Sequence, residues 1–230
     1  MFANWSSIDN QILRMLYRLI SSTFKYPIIQ KVKRFLRPAK QFVRGKHGIY
    51  KALDFIPKDI KTVFDIGAGD GDYALTFAKT FPQATITCFE PNNLSFKKLE
   101  KKAKNIGSRI ILVKKALSDQ KGKASLVFDP QTPDGGSIGG SGIKSEEVIT
   151  ETLDSFNKTI DFLKIDAEFH EVKILNGGQE TMKKVRYLYL ETRLDTPGYF
   201  YEILEAVRNL DFSPIYLSED QNILFERISK

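Results

Sequence analysis

Two carboxylates lie within or directly after two short apolar runs in this sequence. Asp65 lies in the run 62–66, and Glu90 follows the run 84–89. Between them lies a glycine-rich turn at 67–71, in which glycine allows close backbone approach to a ligand or a positive φ angle. In nucleotide-binding α/β units, an acid about 20 residues beyond such a turn accepts the ribose hydroxyls. The pattern therefore predicts a site for a nucleoside-bearing cofactor.

The spacing of the turn narrows the choice of cofactor. The glycines follow the pattern G-x-G-x-G, whereas the dinucleotide fingerprint is G-x-G-x-x-G. An acid just before the turn, Asp65, suits a cationic ligand better than a pyrophosphate. S-adenosylmethionine carries an ammonium and a sulfonium group and no phosphate, so it is favoured over NAD. An ordinary strand–turn–helix unit without a ligand is the alternative interpretation.

The elements around these residues alternate between strand and helix, which predicts a Rossmann-like, doubly wound α/β fold. The sheet is expected to be mostly parallel, with an antiparallel hairpin strand near the C-terminus around a turn at 218–221. Predicted strands are 62–66, 84–89, 109–114, 123–128, 161–165, 185–190, 212–217 and 222–227. Predicted helices are 72–80, 92–104, 168–176 and 198–209.

One long segment carries no regular pattern. Residues 129–145 contain five glycines and two prolines, which predicts an inserted loop before the fourth sheet strand. Loops of this length are often lids over a site, and otherwise they are disordered insertions. The sequence leaves both alternatives open.

Composition is typical of a soluble, globular protein. The 230 residues, 42% apolar and 27% charged, suit one domain with a small extension. Neither a transmembrane run nor a secretory signal is predicted. The single cysteine, Cys88, excludes an internal disulfide bond and is expected to be a small buried side chain. We expect a cytoplasmic protein, with peripheral membrane association as a further possibility.

The net charge of +7 is unevenly distributed. Residues 1–50 hold ten Lys and Arg and one acid, whereas the remaining chain holds 25 bases and 27 acids. We therefore predict a basic, helical N-terminal arm over 1–49 and a domain over 50–230 without a basic face for nucleic acid. Apolar residues at helical spacing in 8–20 and 28–36 would pack on protein, including a second copy through 1–45, or lie on an anionic membrane.

Several blocks together resemble the FkbM-type S-adenosylmethionine-dependent methyltransferases. They are VFDIGAGDG at 63–71, FEPN at 89–92, KALSD at 115–119, TLD at 152–154 and FLKIDAE at 162–168. The resemblance covers roughly residues 50 to 228. This chain departs from the family pattern at Asp70, which is usually Asn, and at Phe169 and His170, which replace a glycine and a small residue.

The resemblance implies a class I methyltransferase fold and assigns the cofactor contacts. The methionine part would be held by Asp65 and by the turn and helix start. Glu90 and the two residues after it would bind the ribose, and residues 116–119 would flank the adenine. The predicted cofactor residues are Asp65, Gly67, Ala68, Gly69, Gly71, Tyr73, Glu90, Pro91, Asn92, Ala116, Leu117, Ser118 and Asp119.

Methyl transfer to a hydroxyl group also needs a proton acceptor. Asp166, Glu168 and His170 follow the fourth sheet strand, and one of them could be this general base. Alternatively, Asp166, Glu168 and Glu191 could hold magnesium, manganese or calcium, although a metal is not favoured. The acceptor is expected to be a sugar, a glycan or another small hydroxylated molecule. The second hypothesis is a non-catalytic protein that binds a partner or membrane through its arm.

Overall fold

The computed structural model of the protein describes residues 43–45, 48–104, 106–193, 195–208, 210–218 and 220–228. These residues form two compact units. One consists of 57–191, and the other consists of the described residues before 57 and after 191. The helices are α1 (Gly48–Ala52), α2 (Asp72–Thr80), α3 (Asn93–Ala103), α4 (Glu171–Asn176), α5 (Gln179–Met182) and α6 (Pro197–Val207). Single 3₁₀ turns span Leu53–Phe55 and Leu153–Phe156.

The strands agree closely with the predicted pattern outside two regions. One is the segment 116–152, and the other is 43–45, a strand within the arm that was predicted to be helical. They are β1 (Val43–Gly45), β2 (Thr62–Ile66), β3 (Thr85–Phe89), β4 (Ile110–Val113), β5 (Ala116–Ser118), β6 (Gly122–Asp129), β7 (Thr132–Ile138), β8 (Lys144–Thr152), β9 (Ile160–Ile165), β10 (Val185–Glu191), β11 (Phe212–Ser218) and β12 (Asn222–Arg227).

A parallel sheet forms the centre of the unit 57–191. Its strands lie in the order β10-β9-β2-β3-β4, and each neighbouring pair is parallel. The inner strands are apolar and buried along almost their whole length, as parallel strands covered on both faces must be. The chain adds β3 and β4 on one side of β2 and later adds β9 and β10 on the other side. The strand order therefore reverses between β2 and β9. Ligands bind outside the carboxyl ends of strands at such a point.

A second sheet belongs to the same unit and was not predicted. Its order is β5-β8-β6-β7, with a small apolar core that includes Leu126 and Val148. This sheet corrects the prediction of a loop over 129–145, because 132–138 is strand β7 and β8 begins at Lys144. β7 pairs antiparallel with β6, and the backbone groups of its glycines can form ladder hydrogen bonds without side chains.

The start of α4 also differs from the prediction. A helix was expected from residue 168, but α4 begins at Glu171. Glu168 and Phe169 have φ angles of 50° and 70°, in the left-handed region that a right-handed helix cannot include. The connection from β9 therefore turns sharply before the helix, and Glu168 projects from this turn.

The other unit contains the expected C-terminal hairpin. β11 and β12 pair antiparallel, and β1 pairs parallel with β11. Most of the predicted arm, residues 1–42 with 46 and 47, lies outside the described residues, so its helices over 8–20 and 28–36 and its partners stay predictions. Among the residues that the structure describes, no helix is long and apolar enough to cross a membrane.

Candidate functional site

The glycine loop, residues 67–71, folds tightly over the ends of three neighbouring strands. The N–H groups of Gly67 and Ala68 both donate to the carbonyl oxygen of Phe89 at 3.0 Å. Gly67 has a φ of 71°, and a Cβ atom there would lie 1.8 Å from the carbonyl oxygen of Asp166. Only glycine fits at this position, because the loop backbone passes directly against the end of β9.

Glu90 is held at the carboxyl end of β3 by two backbone donors. Its Oε2 accepts from the N–H of Gly69 and its Oε1 accepts from the N–H of Asn92, both at 2.8 Å. Asn92 also caps α3 by accepting from the N–H of Leu94 and of Ser95. The pKa of Glu90 is raised to about 8. Burial raises it most and Asp134 contributes, while the two N–H donors lower it. Each oxygen retains a further lone pair for a ligand hydroxyl.

Asp65 does not lie where the predicted cofactor contact requires it. Its carboxylate is 0% exposed and forms an ion pair with Lys164 at 3.2 Å. Burial raises the pKa of Asp65, while Lys164 lowers it. Asp65 is therefore neutralised inside the protein, and Asp166, whose side chain is partly exposed, is the acid that the end of β9 presents.

An open cavity lies at these strand ends within the unit 57–191. It brings together part of the predicted site: Gly67, Glu90, Pro91, Asn92, Ala116, Leu117, Asp166, Glu168 and His170. The remaining predicted residues are absent from its lining among the residues that the structure describes: Asp65, Ala68, Gly69, Gly71, Tyr73, Ser118 and Asp119. Ala68, Gly69 and Gly71 belong to the backbone turn that supports Gly67, and Asp119 is exposed.

The second sheet supplies cavity residues that the sequence analysis missed. Asp134 of β7 lines the cavity and accepts a hydrogen bond from Ser95 Oγ at 2.5 Å. Glu146 of β8 accepts from the N–H of Asn93 at 2.7 Å. These two acids attach the second sheet to the first turn of α3, directly after Glu90. No local signal marks Asp134, because its neighbours in sequence resemble those of a loop.

His170 is part of a short polar chain. Its Nε2 lies 2.9 Å from Ser118 Oγ, and Ser118 Oγ donates to Asp119 Oδ1 at 2.9 Å. Since the single hydroxyl proton of Ser118 goes to Asp119, Ser118 accepts from His170 Nε2–H. Burial and Lys173 lower the pKa of His170 to about 4, although Asp119 raises it. His170 is therefore neutral at pH 7. Its Nε2–H is already donated to Ser118, so we favour Asp166 and Glu168 as the proton acceptor.

The alternative metal site is not assembled in this structure. Within the described ranges, no three His, Cys, Asp or Glu side chains are placed so that they could hold a metal ion. Asp166 and Glu168 line the cavity, whereas Glu191 does not.

Comparisons with known proteins agree with this architecture. The family described as "Methyltransferase FkbM domain" matches residues 65–214. The 2-O-methyltransferase NoeI of Sinorhizobium fredii is 26% identical over 165 residues, which cover 60% of this chain and 66% of that protein. A crystal structure of methyltransferase FkbM from Methylobacillus flagellatus KT has a TM-score of 0.54 at 13% identity, covering 95% of this chain. The chain spans 58% of that solved chain, and the likeness shows a shared Rossmann-like fold.

Proposed function

Because the chain belongs to the FkbM methyltransferase family, we propose that it transfers a methyl group from S-adenosylmethionine to a hydroxyl group of a small molecule. The observation that carries this proposal is the position of Glu90. Its carboxylate is fixed by the N–H groups of Gly69 and Asn92 at the edge of a cavity, beside the point where the strand order reverses. This is the position that a ribose-binding acid occupies in a nucleotide-binding α/β unit.

The residues around the cavity suit a cationic nucleoside. Glu90 would accept from the ribose hydroxyls, and Ala116 and Leu117 offer an apolar surface to the adenine. Asp134 and Asp166 provide negative charge for the ammonium and sulfonium groups. When bound, S-adenosylmethionine supplies an electrophilic methyl group. The protein would contribute chiefly by holding the acceptor in line with that group.

A carboxylate is the best candidate for the proton acceptor. Asp166 and Glu168 both line the cavity near the end of β9. Either could take the proton of an acceptor hydroxyl while the new carbon–oxygen bond forms. His170 would orient the neighbouring segment through Ser118, to which its Nε2–H is donated.

The charge of the cavity bears on the acceptor. Four acids line it, namely Glu90, Asp134, Asp166 and Glu168, and Lys115 is the basic side chain among the lining residues of the described chain. An anionic acceptor, including nucleic acid, would be repelled. The printed name of NoeI supports transfer to oxygen, at 26% identity. We propose a neutral sugar, glycan or other small hydroxylated acceptor.

The function is tested by assaying transfer of a labelled methyl group from S-adenosylmethionine to a panel of neutral sugars and glycans. Product formed with a hydroxylated acceptor would support the proposal. If calorimetry shows no binding of S-adenosylhomocysteine and no acceptor is methylated, the protein would instead be a non-catalytic member of the family.

A first prediction concerns Glu90. We expect Glu90→Gln to weaken S-adenosylhomocysteine binding by roughly 1.5–3 kcal/mol, because the ribose loses a charged hydrogen-bond acceptor. Calorimetry at pH 8.5 measures this change. Glu100→Gln, an exposed acid on α3, is the matched control and should bind like the wild type. Equal affinities for the two variants would contradict the ribose assignment.

A second prediction is the pH dependence of the same binding. With a pKa of about 8, the Glu90 carboxyl of the free protein is mostly protonated at pH 6. Ribose hydroxyls donate to the ionised form, so binding should release a proton. We expect the affinity for S-adenosylhomocysteine to rise between pH 6 and 8, by up to about tenfold per pH unit. The Glu90→Gln variant should lack this rise, and a rise that persists in it would assign the proton to another group.

A further inference from the structure

The glycine loop and Asp166 are both attached to one buried lysine, and we propose that Lys164 is a positioning residue for the cofactor site. Its ammonium group holds the end of β2 against the end of β9, and so sets the shape of the cavity floor. This inference rests on the proposed function, because the ligand whose binding Lys164 controls is the proposed cofactor.

Lys164 stands beside Asp65 in the middle of the parallel sheet. The two residues are register partners on β9 and β2, and both are 0% exposed. Their ion pair, at 3.2 Å, supplies the opposite charge that a buried ammonium needs. Burial opposes the charge on Lys164, but Asp65 and Asp166 together raise the pKa of its ammonium group. Lys164 is therefore a charged donor at neutral pH.

The ammonium group reaches beyond Asp65 to the backbone of the glycine loop. Nζ lies 2.9 Å from the carbonyl oxygen of Gly67 and 3.4 Å from that of Ile66. It also lies 3.7 Å from Asp166 Oδ2 and 5.2 Å from the centre of the Tyr73 ring. Ile66, Gly67 and Asp166 all line the cavity. One side chain thus fixes three points of the wall that the cofactor would contact.

A simpler role for Lys164 would be to neutralise Asp65. These two roles give different outcomes when both charges are removed. If neutralisation is the whole role, an uncharged pair of similar shape should keep both the stability and the ligand affinity, because a buried ion pair can often be replaced by uncharged residues of similar volume. If Lys164 positions the loop, removing both charges should restore stability but not ligand affinity, because the bonds to Gly67 and Ile66 are still missing.

The experiment compares Lys164→Met, Asp65→Asn and the double variant by thermal unfolding and by calorimetry with S-adenosylhomocysteine. We expect Lys164→Met to have the lowest melting temperature, because it leaves Asp65 buried and unpaired. The double variant should recover much of that loss, while its affinity stays at least about tenfold below that of the wild type. Recovery of the affinity to within about twofold in the double variant would overturn the proposal.

Asp65→Asn tests the proposal even if every Lys164 variant unfolds. It keeps the lysine and its bonds to the loop, so we expect its affinity to stay within about threefold of the wild type. A tenfold loss would mean that Asp65, and not Lys164, controls the site. Lys102→Met is the control, since Lys102 pairs with Asp70 and Asp72 on the outer side of the same loop. It should bind like the wild type, and a tenfold loss there would show that any lysine on the loop has this effect.

A readout without ligand separates this inference from the proposed function. The amide protons of Gly69 and Gly71 are hydrogen-bonded within the site, to Glu90 and to Ala68. We expect their hydrogen exchange to be faster in the double variant than in the wild type and unchanged in Lys102→Met. Failure of the wild type to bind S-adenosylhomocysteine would refute the proposed cofactor alone. Unchanged exchange in the double variant would refute the role of Lys164.

Discussion

Replacing Gly67 with alanine is expected to destabilise the protein by about 4 kcal/mol or more, an exceptionally large effect for one substitution. The new Cβ atom would lie 1.8 Å from the carbonyl oxygen of Asp166. That oxygen belongs to the backbone at the end of a central strand, so it cannot move aside as a flexible side chain could. Urea unfolding followed by circular dichroism would measure the loss.

Gly107→Ala separates the clash from backbone strain. Gly107 also has a positive φ, 86°, but a Cβ atom there would meet nothing within 4 Å. Alanine in the left-handed region alone costs roughly 1–2 kcal/mol, and this is the loss expected for Gly107→Ala. Similar losses in the two variants would mean that the close approach of the glycine loop to β9 is not tight.

Replacing the two cavity acids after β9 should affect chemistry far more than binding. We expect Asp166→Asn or Glu168→Gln to slow methyl transfer by at least about 100-fold, the scale of a lost general base. The melting temperature should change little. Glu168→Gln should also keep the S-adenosylhomocysteine affinity, because the ribose and glycine-loop contacts remain, whereas Asp166→Asn should weaken it, though by less than the rate, because Asp166 also faces the ammonium group. Single-turnover assays with the labelled methyl donor would measure the rate.

Glu180→Gln, at an exposed acid paired with Lys183, is the matched control and should keep the wild-type rate. Unchanged turnover in both Asp166→Asn and Glu168→Gln would place the proton acceptor elsewhere. Loss of activity on chelation, with recovery on adding magnesium, would instead favour a metal-assisted reaction.

The parts of the fold that were predicted correctly depend on local sequence. The glycine turn and the acid after the next strand are recognisable because spacing along the chain determines their geometry. Glu90 accordingly lies at the end of β3, and α2 spans the predicted residues 72–80. Buried parallel strands such as β2 and β9 were predictable for a similar reason, since their apolar runs leave few alternatives.

The parts that were missed depend on contacts between distant segments. Asp65 was assigned to the cofactor because nothing in its own strand shows that Lys164, 99 positions later, is its neighbour in the sheet. A lysine within the apolar strand 160–165 was the available signal, since a buried charge requires a partner. The second sheet escaped prediction because glycines in β7 weaken the strand pattern, and its pairing with β6 is set by packing.

The predicted helix start at residue 168 failed for a different reason. Apolar periodicity records which face of a helix is buried, but it does not record the sign of φ. Glu168 and Phe169 continue the helical pattern while adopting left-handed backbone conformations. Such conformations in residues other than glycine often occur at functional sites, where the surrounding structure imposes them.

The single cysteine lies in the same row of the sheet as the buried ion pair, with Cys88 next to Asp65 in register and 0% exposed. Burial, and to a smaller extent the charge of Asp65, raises the pKa of the Cys88 thiol well above its ordinary value, whereas Lys164 lowers it. The nucleophile toward a thiol reagent is the thiolate, and it must be accessible, so Cys88 can react only when the central strands separate. The rate at which Cys88 is labelled in the native protein therefore reports how often the floor of the site opens.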